Sequence, residues 1–113
     1  MNTVTLSVAS GDEVTRRALA AFDGHDQGAH ISFESVELLW KTLTGKRWDL
    51  LRVMTGQGPM SIRETARRVG RDVKAVHGDV QALISAGVLR RAPEGVEFPY
   101  DAVHVDFTLT KAA

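Results

Sequence analysis

Apolar positions recur at two different periods along the chain. Spacings of three and four residues place side chains on one face of an α-helix, whereas strict alternation places them on one face of a strand. Alternation predicts strands at residues 3–10, 29–33 and 103–109. Helical spacing predicts one helix from residue 10 onward, two helices within residues 34–54, the second of them capped by Thr44, and two more within residues 61–87.

The last two helices carry clear start and stop signals. Ser61 and Glu64 form an S-x-x-E capping box, in which the hydroxyl and the carboxylate accept hydrogen bonds from backbone N–H groups at the helix start. Gly70 can end the first helix, and Asp72 can cap the second. The apolar stripe predicted to be buried in the second helix consists of Val73, Val76, Val80 and Leu83.

The opposite face of the second helix is polar, small and partly cationic. Its members are Lys74, His77, Gly78, Gln81 and Ser85. A helix with such a face is of the type that can enter the major groove of DNA. The same pattern also fits a solvated helix pair in any small α-helical domain, so periodicity alone leaves both interpretations open.

A strand–turn–strand pattern follows Gly87. Residues 88–91 and 96–98 are predicted strands, and Pro93 with Gly95 marks the turn between them. Three helices followed by a strand–turn–strand is the order of the winged helix-turn-helix fold. The acidic turn, with Glu94 and Glu97 and no basic tip, is expected to contribute little to DNA binding.

These elements predict an α+β fold with two parts. Residues 34–113 form a winged helix-turn-helix DNA-binding domain with a C-terminal β-hairpin and strand, and residues 1–33 form a strand-helix-strand appendage. The appendage and the last strand are predicted to supply a dimer or partner contact, because exposed apolar strands need partners. Trp40 and Trp48 are most simply core or interface anchors.

Charge is distributed unevenly along a chain whose net charge is zero. Residues 41–91 contain eleven Lys or Arg and four Asp or Glu (+7), whereas the flanks contain three basic and ten acidic residues (−7). A basic centre between acidic ends favours phosphate binding by the centre. Chance segregation of charge is the alternative.

Several absences bear on chemistry and location. There is no cysteine, no signal-peptide pattern and no apolar run near the roughly 18 residues of a membrane span. The four histidines lie on different predicted elements without metal-ligand spacing, and neither a P-loop nor a nucleophile-elbow motif occurs. We therefore expect a cytoplasmic protein that is not an enzyme and holds neither a cofactor nor a metal.

Residues 61–91 consist of a capped helix, a turn, a second helix and the run Gly87-Val88-Leu89-Arg90-Arg91. This order of features resembles that of the bacterial and archaeal winged-helix regulators of the MarR/ArsR type. A wider set of segments is similar to small regulators often described as antitoxin-like DNA-binding proteins. Those segments are Phe33-Glu34-Ser35, Leu43-Thr44-Gly45-Lys46-Arg47, Val73-Lys74-Ala75-Val76-His77 and Val103-His104-Val105-Asp106-Phe107. In that group the residue after the histidine is commonly Arg, where this chain has Gly78.

The resemblance implies a sequence-specific transcriptional regulator. It would bind double-stranded operator DNA as a homodimer, act as an autorepressor and, if a cognate toxin protein exists, neutralise that toxin by direct binding. The alternative is a protein-interaction module, either a toxin-neutralising antitoxin or a winged helix that does not bind DNA.

The first candidates for DNA contact lie on the second helix of the pair. Lys74 can contact a guanine edge or a phosphate, and Gln81 can pair with adenine N6 and N7. His77 can hold a phosphate or a base, or can be a plain exposed residue. Gly78 offers close backbone approach.

Arginines surround these positions on both sides. Candidate phosphate contacts around the turn are Arg63, Arg67, Arg68 and Arg71, and at the base of the wing they are Arg90 and Arg91. Adjacent Arg67 and Arg68 are expected to point in different directions, with one of them paired to Glu64 or to a nearby acid. Asp79 is expected to form an ion pair with an arginine of the preceding helix, whereas Arg47 is expected to point outward.

Overall fold

The computed structural model describes residues 2–8 and 29–107, which form one small α+β domain. The helix predicted from residue 10 lies outside the described residues. In chain order the described elements are β1 (Thr3–Val8), β2 (Ala29–Phe33), α1 (Val36–Thr42), α2 (Gly45–Met54), α3 (Ile62–Val69), α4 (Val73–Ser85), β3 (Arg90–Ala92), β4 (Gly95–Glu97) and β5 (Ala102–Asp106). No described helix has both the length and the apolar character needed to cross a bilayer.

The two ends of the chain meet in a three-stranded parallel sheet. β1 is its central strand, with β2 on one side and β5 on the other. Leu6 of β1 is in register with Ile31 of β2 and with Val105 of β5. Residues paired in this way point to the same side of the sheet, so the alternation of the three strands combines into one apolar face. The strands that the sequence left without partners therefore pair with each other.

The helices begin at side chains that satisfy free backbone N–H groups. Thr44, Ser61 and Asp72 accept hydrogen bonds from the first turns of α2, α3 and α4, as predicted, at 3.0–3.4 Å. Ser35 caps α1 in the same way, at 3.1 Å. Gly70 ends α3 with φ +67°, a left-handed conformation that glycine adopts without steric cost.

The core lies between the apolar face of the sheet and the helices. Every layer contributes buried side chains, among them Leu6, Leu39, Leu50, Val80 and Phe98. Burial of these side chains is the main source of stability in so small a domain.

One apolar position in α4 was wrongly predicted to be buried. Val76, Val80 and Leu83 are buried, but 42 % of Val73 is exposed. Val73 is the first residue of α4, where the chain leaves the turn after α3. Helical spacing extends the stripe to this position, but neighbouring elements do not cover it.

The strands β3 and β4 form an antiparallel hairpin. Its two-residue turn, Pro93 and Glu94, lies where the sequence indicated. The first strand begins later than predicted, because the N–H groups of Val88 and Leu89 donate to the carbonyl of Leu83, at 2.9 and 3.2 Å. The other strand is joined to the segment before α3, where Met60 exchanges two backbone hydrogen bonds with Val96, at 2.8 and 2.9 Å.

We predict that Gly95→Ala lowers the free energy of unfolding by about 2–4 kcal/mol. Gly95 has φ +143°, and a β-carbon there would lie 2.7 Å from the carbonyl carbon of Met60. The control is Gly78→Ala, because no atom would contact a β-carbon at Gly78. That change should raise the free energy of unfolding by at most about 1 kcal/mol, because alanine has a higher helix propensity than glycine. Urea denaturation measures both variants, and equal stability would contradict the prediction.

Candidate nucleic-acid interface

The pair α3–α4 presents one exposed polar face. Its members, which we call the outer face of α4, are Lys74, His77, Gly78, Gln81 and Ser85. Gln81 is half-buried, and the other four are exposed. The face is opposite the buried Val76 and Val80, so the helical periodicity that predicted it is confirmed at these positions.

Arg67 and Arg68 both bind the same carboxylate, that of Glu64. Arg67 approaches it through Nε, at 2.9 Å, and through Nη2, and Arg68 donates through Nε, at 3.3 Å. These hydrogen bonds, that of Arg67 above all, lower the pKa of Glu64 to about 2. The expectation that Arg67 and Arg68 point in different directions was wrong, because residues three and four positions after Glu64 both lie on its side of the helix.

The partners of Glu64 remain accessible from solvent. The Arg67 side chain is 72 % exposed, and Arg68, at 37 %, also donates to the side-chain oxygen of Gln57. Exposed ion pairs contribute little to stability, so a phosphate can replace the carboxylate at small cost. The Glu64 carboxylate is engaged here and does not close the second half of the predicted capping box.

Asp79 forms the least exposed ion pair of the interface. Arg71 donates to it through Nη2 at 2.7 Å, and Arg47 donates through Nε at 3.1 Å. The expected partner on the preceding helix was wrong, because Arg71 lies in the turn after α3 and Arg47 lies on α2. All three side chains are about one-fifth exposed. Burial acts to raise the pKa of the Asp79 carboxyl, but the hydrogen bonds from Arg71 and then Arg47 outweigh it, so the pKa is lowered.

The prediction that Arg47 points outward was wrong. Its Nη1 donates to the backbone carbonyl of Thr42 at 2.9 Å while its Nε binds Asp79. Arg47 therefore joins the end of α1 and the start of α2 to the middle of α4. The sequence signal was an aspartate between the polar and apolar sides of α4, but nothing in the spacing indicated a partner 32 residues away.

The arginines of the hairpin are also paired. Arg90 binds Glu97 on the opposite strand, through Nε at 2.7 Å and Nη2 at 2.6 Å. Arg91 donates through Nη2 to Oε1 of Gln81 at 2.9 Å. This second contact brings the hairpin to the outer face of α4.

The side chains of three basic candidate residues have no hydrogen bond or ion pair with any described residue. They are Arg63, Lys74 and His77, and all three are exposed. Arg63 also borders an open cleft of about 500 Å³ between α3 and the start of α4, which Arg67 and Arg71 line as well. Within residues 2–8 and 29–107, no three His, Asp or Glu side chains gather in a metal-binding cluster.

Comparison with known proteins places this interface within a family. Residues 42–105 match the HVO_A0114 family model, which is more than half of the chain. The chain belongs to the HVO_A0114 family. Searches of curated proteins and of solved structures found no match. The HVO_A0114 segment includes every candidate DNA-binding residue and the whole β3–β4 hairpin, whereas β1 and β2 precede it.

We predict that Asp79→Asn lowers the free energy of unfolding by about 1–3 kcal/mol near neutral pH, because Arg47 and Arg71 lose a charged acceptor. The lowered folded-state pKa of Asp79 means that its stabilisation is complete above the ordinary value of 3.8 and is lost as the pH falls through the folded value. The difference between the wild type and the variant should therefore shrink below about pH 4.

Urea denaturation at several pH values measures this difference. The matched control is Asp49→Asn, because Asp49 is 59 % exposed and lies 3.9 Å from Arg52. The control should change stability by less than about 0.5 kcal/mol. A wild-type-to-Asp79→Asn difference that stays constant at every pH would show that the charge of Asp79 is irrelevant.

Proposed function

We propose that this HVO_A0114 family member is a sequence-specific DNA-binding transcriptional regulator with a winged helix-turn-helix domain. The observation that carries the proposal is the exposed outer face of α4. Arg91 of the hairpin contacts this face at Gln81, and Arg63 and Arg67 of α3 line the cleft at the start of α4. The element order supports the same fold. That fold has three helices followed by a strand–turn–strand. Here the same order is formed by α2, α3, α4 and the β3–β4 hairpin, with Met60 before α3 bridged to β4.

In this proposal α4 is the recognition helix and enters the major groove. Lys74 and His77 would contact base edges or phosphates, and Gly78 would allow the helix backbone to come close. Arg63 would bind phosphate directly. The remaining contacts would come from arginines that now have partners in the chain, namely Arg67, Arg68, Arg90 and Arg91.

Arg71 has a different part in the proposal. Its side chain is one-fifth exposed and holds Asp79, while its surface borders the cleft that Arg63 and Arg67 also line. We propose that it mainly fixes the position of α4 relative to the turn. Any phosphate contact by Arg71 would be made from this fixed position.

We further propose that the protein acts as a homodimeric autorepressor in the cytoplasm, with operator half-sites about one helical turn apart. Support for a second copy comes from the apolar side chains Leu38, Trp40 and Phe107, which are 42, 48 and 38 % exposed. The Trp40 and Phe107 rings are in edge-to-face contact at 5.5 Å, so they form one surface. Exposed apolar surfaces of this kind favour protein contacts.

A second candidate is a protein-interaction module, including an antitoxin that binds a cognate toxin. It is favoured by the internal pairing of five of the six candidate arginines, which leaves Arg63 as the one without a partner among the described residues. Co-expression with the product of the neighbouring gene tests this candidate. Co-purification together with indifference to DNA would favour it over the regulator.

For DNA binding we predict that Lys74→Ala and Arg63→Ala each weaken binding to the protein's own upstream region by about tenfold. Loss of a phosphate contact should also lower the slope of log affinity against log salt by about 1 per subunit. The control is Arg52→Ala, because Arg52 is an 80 % exposed cation on α2, beside Val103 of β5. Fluorescence anisotropy at several salt concentrations measures affinity and slope, and equal losses for all three variants would contradict the assignment.

For the dimer we predict that Trp40→Ala shifts the protein from dimer to monomer in sedimentation velocity. The change removes the most exposed large apolar side chain of the described residues. Glu37→Ala on the same helix is the control, because it changes an exposed polar residue and should leave the dimer intact. A wild-type protein that stays monomeric at every concentration would rule out this contact.

A further inference from the structure

The contact between Arg91 and Gln81 determines how the glutamine amide is oriented. Arg91 Nη2 donates to Gln81 Oε1 at 2.9 Å across the junction of the hairpin with α4. A guanidinium group carries only donors, so the amide must present its oxygen to Arg91. The amide nitrogen, with its two hydrogens, is consequently directed away from Arg91.

This orientation changes which bases Gln81 can recognise. A glutamine that reads adenine uses its oxygen to accept from N6 and its nitrogen to donate to N7. In this protein the oxygen already accepts a hydrogen bond from the guanidinium group of Arg91, which is an exposed residue. The pair therefore offers several donors and at most one remaining lone pair. Guanine, with acceptors at both N7 and O6, matches such a surface better than adenine does.

Neighbouring carboxylates do not compensate for this excess of donors. The carboxylate of Asp79 could accept from cytosine N4 or adenine N6, but it holds Arg47 and Arg71. The Glu64 carboxylate on α3 likewise holds two arginines. The exposed cation of α4 itself, Lys74, is a donor only.

We propose that Gln81 and Arg91 recognise one base pair as a unit and select guanine on the contacted strand. Arg91 is then a residue that determines specificity, in addition to any contact it makes with phosphate. The inference rests on the proposed DNA-binding function and adds the identity of the base.

The experiment begins with selection of bound duplexes from a random library by the full-length protein. Affinities are then measured for the selected site with its guanines replaced singly by adenine or by 7-deazaguanine, which lacks the N7 acceptor. For the wild type, one guanine should lose about ten- to hundredfold in affinity on replacement. In Arg91→Ala and in Gln81→Ala, the penalty at that same position should fall below about threefold, and the double variant should behave like either single variant.

The matched control is Arg90→Ala, because Arg90 is the adjacent arginine and pairs with Glu97 instead of α4. It should keep the guanine preference at that position, whatever its effect on overall affinity. Thermal unfolding of Arg91→Ala should match the wild type, because Arg91 is exposed.

Three outcomes overturn the inference in distinguishable ways. No binding to any duplex by the wild type removes the proposed function and this inference together. Unchanged affinity together with an unchanged base preference in Arg91→Ala overturns the inference and leaves the regulator in place. A uniform loss of affinity across all sequences in Arg91→Ala does the same and makes Arg91 a phosphate contact.

Discussion

The candidate interface depends on the ion pairs that the Asp79 carboxylate forms. The carboxylate lies at the border between the buried stripe and the outer face of α4, and it holds Arg71 from the turn and Arg47 from α2. These three side chains are poorly exposed to solvent. Removing one of them leaves a charged group that is neither hydrated nor paired, so the three side chains constrain one another. The rotation of α4 about its axis, and hence the set of residues that face outward, is coupled in this way to α1 and α2.

The arginines fall into two groups according to how deeply they are held. Arg71 and Arg47 are largely withdrawn from solvent, which suits them to positioning. Arg67 is 72 % exposed, so its carboxylate partner can be exchanged for another anion. Arg90 is 64 % exposed, but its partner Glu97 is only 14 % exposed. A neutral chain can thereby present a cationic surface to a polyanion while its charges are balanced internally in the free state.

The sheet connects β1 and β2, which precede the family match, to the segment that carries the interface. β5 lies almost wholly inside the HVO_A0114 match, but its hydrogen-bonded neighbour β1 lies outside it. Just before these two strands, the backbone N–H of Asn2 donates to the side chain of Asp101 at 3.0 Å. Leu6 and Phe33 belong to the same core cluster as the helices, so the first strands support the matched segment through packing.

The sequence by itself determined the local elements and the membership of the outer face. Caps at Ser61 and Asp72 and the left-handed stop at Gly70 act within one helical turn, so residues three or four positions apart are sufficient to indicate them. The alternation of apolar and polar residues in β1 and β5 was equally easy to recognise, because it reflects only which side of each strand is buried.

Tertiary structure alone decided the partners. The β1–β5 pairing joins the two ends of the chain, and Arg47 meets Asp79 across 32 residues. The exposure of Val73 depends on which neighbouring element reaches the start of α4, and the orientation of the Gln81 amide depends on a hairpin ten residues further along the chain. Periodicity reports the face of an element on which a residue lies. It carries no information about what that face meets, because that is set by how distant elements pack.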